Sequence, residues 1–196
     1  TESNGLQLNE ENTRYRINFE DPQIGVNNGA FTGDGFSPDP NPGQLNSNGI
    51  IVQRNSARAP NMEFGDTFQG PGAFYSRGVS QGDVAQTGVY SFDTSNGVGA
   101  PNYALGFQVD GGSFTPGDII LRLENRTGAT ITQLSVSYEV KTLDNAPRRL
   151  SFKLAYGQTQ NTINDRLDLD FETYEERGTE WTRNAFETKI FRKAVI

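Results

Sequence analysis

The stretch from residue 118 to residue 156 alternates apolar and polar side chains, and this period of two constrains the fold more than any other feature of the chain. Successive side chains of a β-strand point to opposite faces, so the alternation predicts three strands with one buried face and one wet face. Turn residues separate these strands, and we therefore expect them to pair as one antiparallel sheet. The predicted buried positions are Ile119, Leu121, Leu123, Leu134, Val136, Tyr138, Val140, Leu150, Phe152, Leu154 and Tyr156.

Similar short patterns, separated by turns rich in Gly and Pro, recur along the rest of the chain. About a dozen short strands of this kind predict an all-β, antiparallel two-sheet sandwich of the jelly-roll type. A length of 196 residues suits one such domain, which we assign to residues 13–196, after a flexible N-terminal arm at residues 1–12. Further strands are predicted at 14–20, 50–54, 73–77, 89–93, 103–108 and 167–172, with a surface loop at 21–49 that Phe31 and Phe36 pack.

The absence of His and Cys removes several chemistries at once. It excludes a thiol nucleophile, an imidazole base, a disulfide and the usual zinc ligands. The formal net charge of −7 argues against nucleic acid as a partner. No apolar run approaches the ~18 residues that cross a membrane as a helix. We therefore predict a protein that is not an enzyme and has no membrane span.

Composition and the first residue both indicate a location outside the cell. The chain is rich in Asn, Thr, Ser and Gly and poor in Lys, as are many exported β-domains. It begins at Thr1 rather than at Met, which predicts a processed export signal or a trimmed chain. We expect an extracellular or cell-surface location.

Five segments, in order along the chain, resemble a family of exported bacterial β-sandwich domains found in large secreted and cell-surface proteins. These segments are GQLNSNGIIVQ, FYSRGVSQGDVAQTGVYSFDT, ALGFQVDGGSFTPGDIILRLENRTGATITQLSVSYEV, NAPRRLSFKLAYG and LDLDFET. The resemblance runs from about Phe19 to the C-terminus. It implies the fold and the location, and it carries no catalytic motif to transfer.

The chain departs from the pattern of that family at two places. Ile50 stands where many members have Trp, so a binding role for that aromatic does not carry over. Members also continue with further strands beyond a segment like KIFRKAVI, with which this chain ends. The resemblance therefore implies either a fragment or a sandwich whose final strands another molecule supplies.

Candidate ligand-binding residues fall into two groups. An exposed Trp181 could stack on a pyranose ring, assisted by Tyr75, Tyr103 or Tyr174. Side chains on the polar face of the strands could form a platform for sugar hydroxyls or carboxylates, with Arg as a bidentate donor. The platform comprises Arg16, Arg122, Arg149 and Lys153, with Glu124 and Glu139. The competing interpretations are a core position for Trp181 and a solvated outer face for the charges.

Clusters of acidic residues raise two further hypotheses. Asp165, Asp168 and Asp170 lie close together in the sequence, and their hard oxygen ligands suit a structural Ca²⁺ ion. Asp34 and Asp39, in a stretch rich in carbonyl groups, are a second candidate, and an ordinary solvated acidic face competes with both. Paired carboxylates would also serve a glycoside hydrolase or lyase, with the candidates Glu139, Asp168, Asp170 and Glu172.

The predicted function is that of a non-catalytic binding or adhesion module, with polysaccharide as the first-choice partner. The alternative is a structural subunit of a surface fibre or sheath, in which an incomplete sandwich accepts a strand. That strand would come from the arm TESNGLQLNEEN of a neighbour or from a separate chain. A hydrolase or lyase is the least favoured hypothesis.

Overall fold

Strands and the irregular segments between them make up the described part of the protein, and that part contains no helix. The computed structural model describes residues 5–53, 61–70, 74–82, 84–110, 117–143, 151–152, 155–157, 164–165, 171–172 and 182–192. The prediction of an all-β chain is confirmed. Within these ranges no helix is long and apolar enough to cross a membrane.

The chain divides into two compact units, Thr1–Ala129 and Thr130–Ile196. The strands of the first are β1 Leu6–Leu8, β2 Phe31–Ser37, β3 Gly43–Asn46, β4 Ile50–Gln53, β5 Phe68–Gln69, β6 Val79–Ser80, β7 Gly88–Asp93, β8 Tyr103–Gln108, β9 Asp118–Leu121 and β10 Leu123–Asn125. They pair in small sheets with the orders β3-β2-β5, β6-β7-β8, β4-β9 and β1-β10. The assignment of residues 13–196 to one domain stays a prediction.

The core of the first unit forms where β2, β3, β4 and β7 bury their apolar side chains. Its buried members are Phe31, Phe36, Leu45, Ile50, Ile51, Val52, Met62, Tyr75 and Val89. Phe64 and Phe68 pack against this cluster from the segment between β4 and β6. Burying each large apolar side chain contributes about 1.5–3 kcal/mol, so this cluster is the main source of stability in the unit.

β2 and β3 lie in the stretch 21–49, where the sequence predicts a surface loop, and that prediction is wrong. β2 has the sequence FTGDGFS and keeps a strand path although Gly33 and Gly35 have φ values of 74° and 97°. A Cβ on Gly35 would overlap the carbonyl oxygen of Phe68, so glycine allows β5 to approach β2 closely. The glycines that indicated a loop therefore belong to a strand that carries two phenylalanines into the core.

Three other predicted strands agree with the structure, and those at 14–20 and 73–77 do not, since residues 14–20 and 74–77 lie in none of its strands. β4, β7 and β8 lie within one residue of their predicted bounds at both ends. Residues 13–20 form no strand, because their side chains hold the backbone in a folded path instead. Asn9 N donates to the Tyr15 hydroxyl at 2.7 Å and Asp21 N donates to Asn18 Oδ1 at 2.9 Å. Such local side-chain bonds compete with a strand ladder.

The first of the three alternating strands changes partner at Arg122. β9 pairs antiparallel with β4 and β10 pairs parallel with β1, instead of the predicted pairing with the next strand. The switch occurs because Arg122 N donates to Gly49 O at 2.7 Å while Arg122 O accepts from Leu6 N at 3.0 Å. Ile119, predicted to be buried, is 45% exposed as a result, and Ile120 packs against the core.

β1 lies inside residues 1–12, which the sequence predicts as a flexible arm. Its Leu-Gln-Leu sequence places two leucines on one face of the strand, and they are buried at 7% (Leu6) and 5% (Leu8) exposure. Residues 6–8 therefore differ from the prediction, because three residues with the right alternation are enough to dock against β10.

The second unit contains β11 Gln133–Thr142, β12 Ser151–Phe152, β13 Ala155–Tyr156, β14 Asn164–Asp165, β15 Phe171–Glu172 and β16 Thr182–Arg192. β11 pairs antiparallel with β16, and a bulge interrupts the register between Val136 and Tyr138. β12 pairs with β15 and β13 with β14, both antiparallel. The predicted alternation is confirmed along β11, where Ser135, Ser137 and Glu139 are exposed and Leu134, Val136, Tyr138 and Val140 are half-buried.

Candidate functional site

A small polar pocket opens on the surface of the first unit, in the folded segment before β2. Its volume is about 210 Å³, and it is lined by Arg16, Asn18, Asp21, Pro22 and Gln23. The lining offers a guanidinium, a carboxylate, two amides and one apolar ring. Such a set can both donate and accept hydrogen bonds within one small volume.

Hydrogen bonds within the segment fix the shape of the pocket. Asn18 Oδ1 accepts from Glu20 N at 3.2 Å and from Asp21 N at 2.9 Å, which closes an Asx turn. Asn18 Nδ2 donates to Asp21 Oδ2 at 3.1 Å, and Gln23 Nε2 donates to Arg16 O at 2.9 Å. The first residues of the segment are thereby joined to the last, and these bonds organise the lining.

Contacts within three residue pairs attach the pocket segment to the body of the unit. Phe31 N donates to Phe19 O at 2.7 Å, and the rings of these two residues lie 6.3 Å apart. Gln23 pairs with Asn27 in an isolated antiparallel bridge. Tyr103 N, at the start of β8, donates to Glu20 Oε1 at 2.8 Å. Since Phe31 is fully buried, the pocket rests on the core rather than on a free loop.

Arg16 is the cationic group of the pocket, and its side chain is exposed. Among the described residues its guanidinium has no ion pair and no side-chain hydrogen bond, so its donors are available to a ligand. Asp21, in contrast, already accepts one hydrogen bond from Asn18 and has remaining acceptor capacity. The pair offers charge-assisted donors and acceptors a few residues apart, which suits hydroxyl or carboxylate groups.

Of the predicted tyrosines, Tyr103 lies beside the pocket segment and Tyr75 lies in the core. Tyr103 is half-buried, and its main chain bonds to Glu20. Tyr75 is 2% exposed, with its ring 4.6 Å from that of Phe68 and 5.6 Å from that of Phe74. These neighbours leave Tyr75 no face on which a sugar could stack. Its place in the core corrects the assignment to a binding surface.

Arg122 has a structural role in the first unit. Its guanidinium carbon lies 3.8 Å from the centroid of the Phe64 ring, a cation–π contact. Burial lowers the pKa of Arg122, and the carboxylate of Glu124 partly offsets that effect. Because the side chain covers an aromatic ring of the core, it does not form an open platform for a ligand.

Replacing Arg122 with alanine should therefore reduce stability and leave ligand binding unchanged. We expect the free energy of unfolding to fall by about 1–2 kcal/mol, the value of a partly desolvated cation–π contact with its packed stem. Arg126→Ala is the control, because Arg126 forms a surface ion pair with Glu124 at 3.0 Å, and such pairs contribute about 0–1 kcal/mol. Urea unfolding of both variants compares them. Equal losses would contradict the assigned role of Arg122.

The remaining predicted residues fall largely outside the described part of the chain. Trp181, Arg149, Lys153, Asp168 and Asp170 all lie there. The backbone of Asp165 lies in β14. Within the ranges that the structure describes, no three His, Cys, Asp or Glu residues are grouped to hold a metal ion. The Ca²⁺ site at Asp165, Asp168 and Asp170 stays a prediction.

Four of the five pocket residues were missed by reasoning from the sequence. Arg16 is predicted as a site residue, but as part of a sheet face, and Asn18, Asp21, Pro22 and Gln23 are not predicted at all. The sequence does indicate a turn at this place, because Asn, Asp and Pro within five residues are typical of Asx turns. The strand predicted at 14–20 is incompatible with that turn, so the turn is not predicted.

The chain matches no protein-family model, no curated protein and no solved structure.

Proposed function

We propose that this protein is a non-catalytic, extracellular binding or adhesion module that recognises polysaccharide through the pocket of residues 16–23. In this proposal the strands belong to a two-sheet sandwich of the jelly-roll type, carried by a secreted or cell-surface bacterial protein. The single observation that supports the proposal most is the pocket itself, a set of donors and acceptors around Arg16, whose guanidinium has no ion pair among the described residues.

The size and position of the pocket favour one sugar residue of a longer chain. Ligand pockets for drug-sized molecules measure about 300–1,000 Å³, and this one is smaller, at about 210 Å³. Arg16, Asp21 and Pro22 lie at the surface, so a polymer can continue past the pocket on either side. The carboxylate and amide oxygens accept from sugar hydroxyls, and the ring of Pro22 offers an apolar contact.

The test compares Arg16→Ala with Arg14→Ala in affinity electrophoresis through gels that contain arabinoxylan, mixed-linkage β-glucan or polygalacturonate. The wild-type protein should be retarded by at least one of these polymers. Arg16→Ala should weaken that interaction about tenfold or more, because a hydrogen bond to a charged group contributes about 1.5–3 kcal/mol. Arg14 is also exposed and lies two residues away without lining the pocket, so Arg14→Ala should bind as the wild type does.

Two results would contradict the proposal. If both arginine variants lose retardation equally, the interaction is general charge attraction rather than recognition by the pocket. If neither loses it while the wild type is retarded, the pocket is not the binding site. Thermal melts of all three proteins serve as the folding control, since substitutions of exposed residues change stability by no more than about 0.5 kcal/mol.

A further inference from the structure

β1 lies against β10, in a position that we call the seat, and main-chain hydrogen bonds and two buried leucines hold it there. Leu6 N donates to Arg122 O at 3.0 Å, and Arg126 N donates to Leu8 O at 2.8 Å. The strand runs parallel to β10, with Leu6 opposite Leu123 and Leu8 opposite Asn125. Leu6 and Leu8 point into the unit and are almost completely buried. The seat therefore recognises an extended strand with leucine at alternate positions.

Gly25 and Gly49 lie against the start of β1 and form one side of the seat, which we call the glycine wall. A Cβ on Gly25 would overlap the carbonyl oxygen of Gly5, and a Cβ on Gly49 would overlap the carbonyl oxygen of Gly25. A Cβ on Gly5 would in turn meet the carbonyl oxygen of Arg122. Three backbones thus approach one another with no room for side chains, which makes the seat specific for a strand that begins with glycine.

The segment that joins β1 to the rest of the unit is held by few bonds, and these are exposed. Residues 9–15 contain no strand. The Tyr15 hydroxyl accepts from Asn9 N at 2.7 Å and from Glu10 N at 2.9 Å. Thr13 Oγ1 donates to Glu10 Oε2 at 3.3 Å. Gln23 Nε2 donates to Arg16 O and Phe31 N donates to Phe19 O, so the chain is anchored from Arg16 onward and the free span of the connection is residues 9–15.

We propose that the seat also accepts β1 of a second copy of this chain, giving a dimer in which the two copies exchange the strand Leu6–Leu8. Every contact of β1 with β10 and with the glycine wall is the same in the exchanged form. The contacts that differ are those of the connection, above all the two bonds to the Tyr15 hydroxyl. Seven extended residues reach about 23–25 Å, enough to cross to an adjacent molecule. Tyr15 therefore favours the monomer, in which β1 stays on β10 of its own copy, and we call Tyr15 the clamp.

The pocket residues, within 16–23, come after the free span of residues 9–15, so the pocket stays with its own copy in the exchanged dimer. The exchange is therefore independent of the proposed polysaccharide binding. Either can fail in its test without changing the outcome of the other.

Engineered cysteines give the test, because the chain contains no Cys of its own. Gln7 and Glu124 are opposite one another in the β1–β10 register. Two single variants, Gln7→Cys and Glu124→Cys, are purified with tags of different size, mixed at high concentration and oxidised mildly. A disulfide between the two chains can form efficiently only when β1 of one copy sits on β10 of the other. We expect a heterodimer on a non-reducing gel, with a yield that rises with protein concentration.

Two controls make the result decisive. Val98→Cys, 78% exposed in the loop after β7, replaces Gln7→Cys in a parallel mixture and measures collisional cross-linking. The double variant Gln7→Cys/Glu124→Cys should close its disulfide within one chain, which shows that both thiols react in the folded protein. If the double variant closes and the mixture gives no more heterodimer than the Val98→Cys control, the exchange is ruled out.

The clamp is tested by Tyr15→Phe in both mixed variants. Loss of the hydroxyl acceptor should raise the yield of heterodimer about threefold to tenfold, the range expected from the net contribution of a hydrogen bond. Tyr103→Phe, which removes a hydroxyl at the start of β8, should leave the yield unchanged. An unchanged yield with Tyr15→Phe would overturn the role of Tyr15 as the clamp.

Discussion

Gly25→Ala should lower the free energy of unfolding by about 4–8 kcal/mol, the largest effect that we expect from one methyl group in this chain. The added Cβ would overlap the carbonyl oxygen of Gly5, so β1 must leave its seat. Leaving exposes Leu6 and Leu8, and each buried leucine contributes about 1.5–3 kcal/mol. Alanine also has to adopt the φ of 81° found at Gly25, which costs roughly 1–2 kcal/mol.

Gly128→Ala separates the loss of β1 docking from the cost of placing alanine at a positive φ. Gly128 has a φ of 79°, nearly that of Gly25, and a Cβ there would meet nothing within 4 Å. We therefore expect Gly128→Ala to cost only the backbone strain, about 1–2 kcal/mol. Urea unfolding followed by circular dichroism measures both variants. Equal losses would mean that the docking of β1 contributes little to stability.

Phe36→Ala should cost about 3–5 kcal/mol, because it removes a fully buried aromatic side chain and leaves a cavity. Phe36 lies in β2, opposite Leu45 of β3 and Phe68 of β5, so the cavity would open at the centre of that three-stranded sheet. The main chain of β2 is held on both sides by its neighbours, which limits collapse into the cavity. Thermal and urea unfolding both measure the loss.

Phe36→Leu and Ile24→Ala are the matched controls. Phe36→Leu keeps most of the apolar volume and should cost markedly less than Phe36→Ala. Ile24 is 74% exposed, and its replacement by alanine should change the free energy of unfolding by no more than about 0.5 kcal/mol. A loss below about 1 kcal/mol for Phe36→Ala would place this ring outside the core, contrary to the structure.

The sequence predicts those strands whose apolar pattern is continuous. β4 and β7 carry uninterrupted buried runs, and β11 alternates over its whole length, so their side chains alone indicate their structure. β2 was missed because Gly33 and Gly35 interrupt the pattern. Glycine in a strand marks a close approach of another backbone, a property that depends on a partner distant in sequence. No local pattern identifies that partner.

The candidate site was predictable only in part, for the same reason. The charge of Arg16 within an expected strand predicts a site residue, but the pocket exists because Asn18 and Gln23 fold that segment back on itself. Tyr75 is predicted to assist Trp181 because it is aromatic, and only packing with Phe68 and Phe74 shows that it lies in the core. Residue types identify candidate chemistry, and tertiary contacts decide which candidates share a site.

The pairing of β1 with β10 also affects how the chain folds during synthesis. Leu6 leaves the ribosome more than a hundred residues before its partner Leu123. At about 5–20 residues per second, the first strand waits roughly 5–25 s for a place to dock. During that interval neighbouring nascent chains on one messenger RNA carry the same unsatisfied leucines. Because β1 must wait for β10, the interval between their synthesis is the period in which β1 is most exposed to pairing with another nascent copy of the chain.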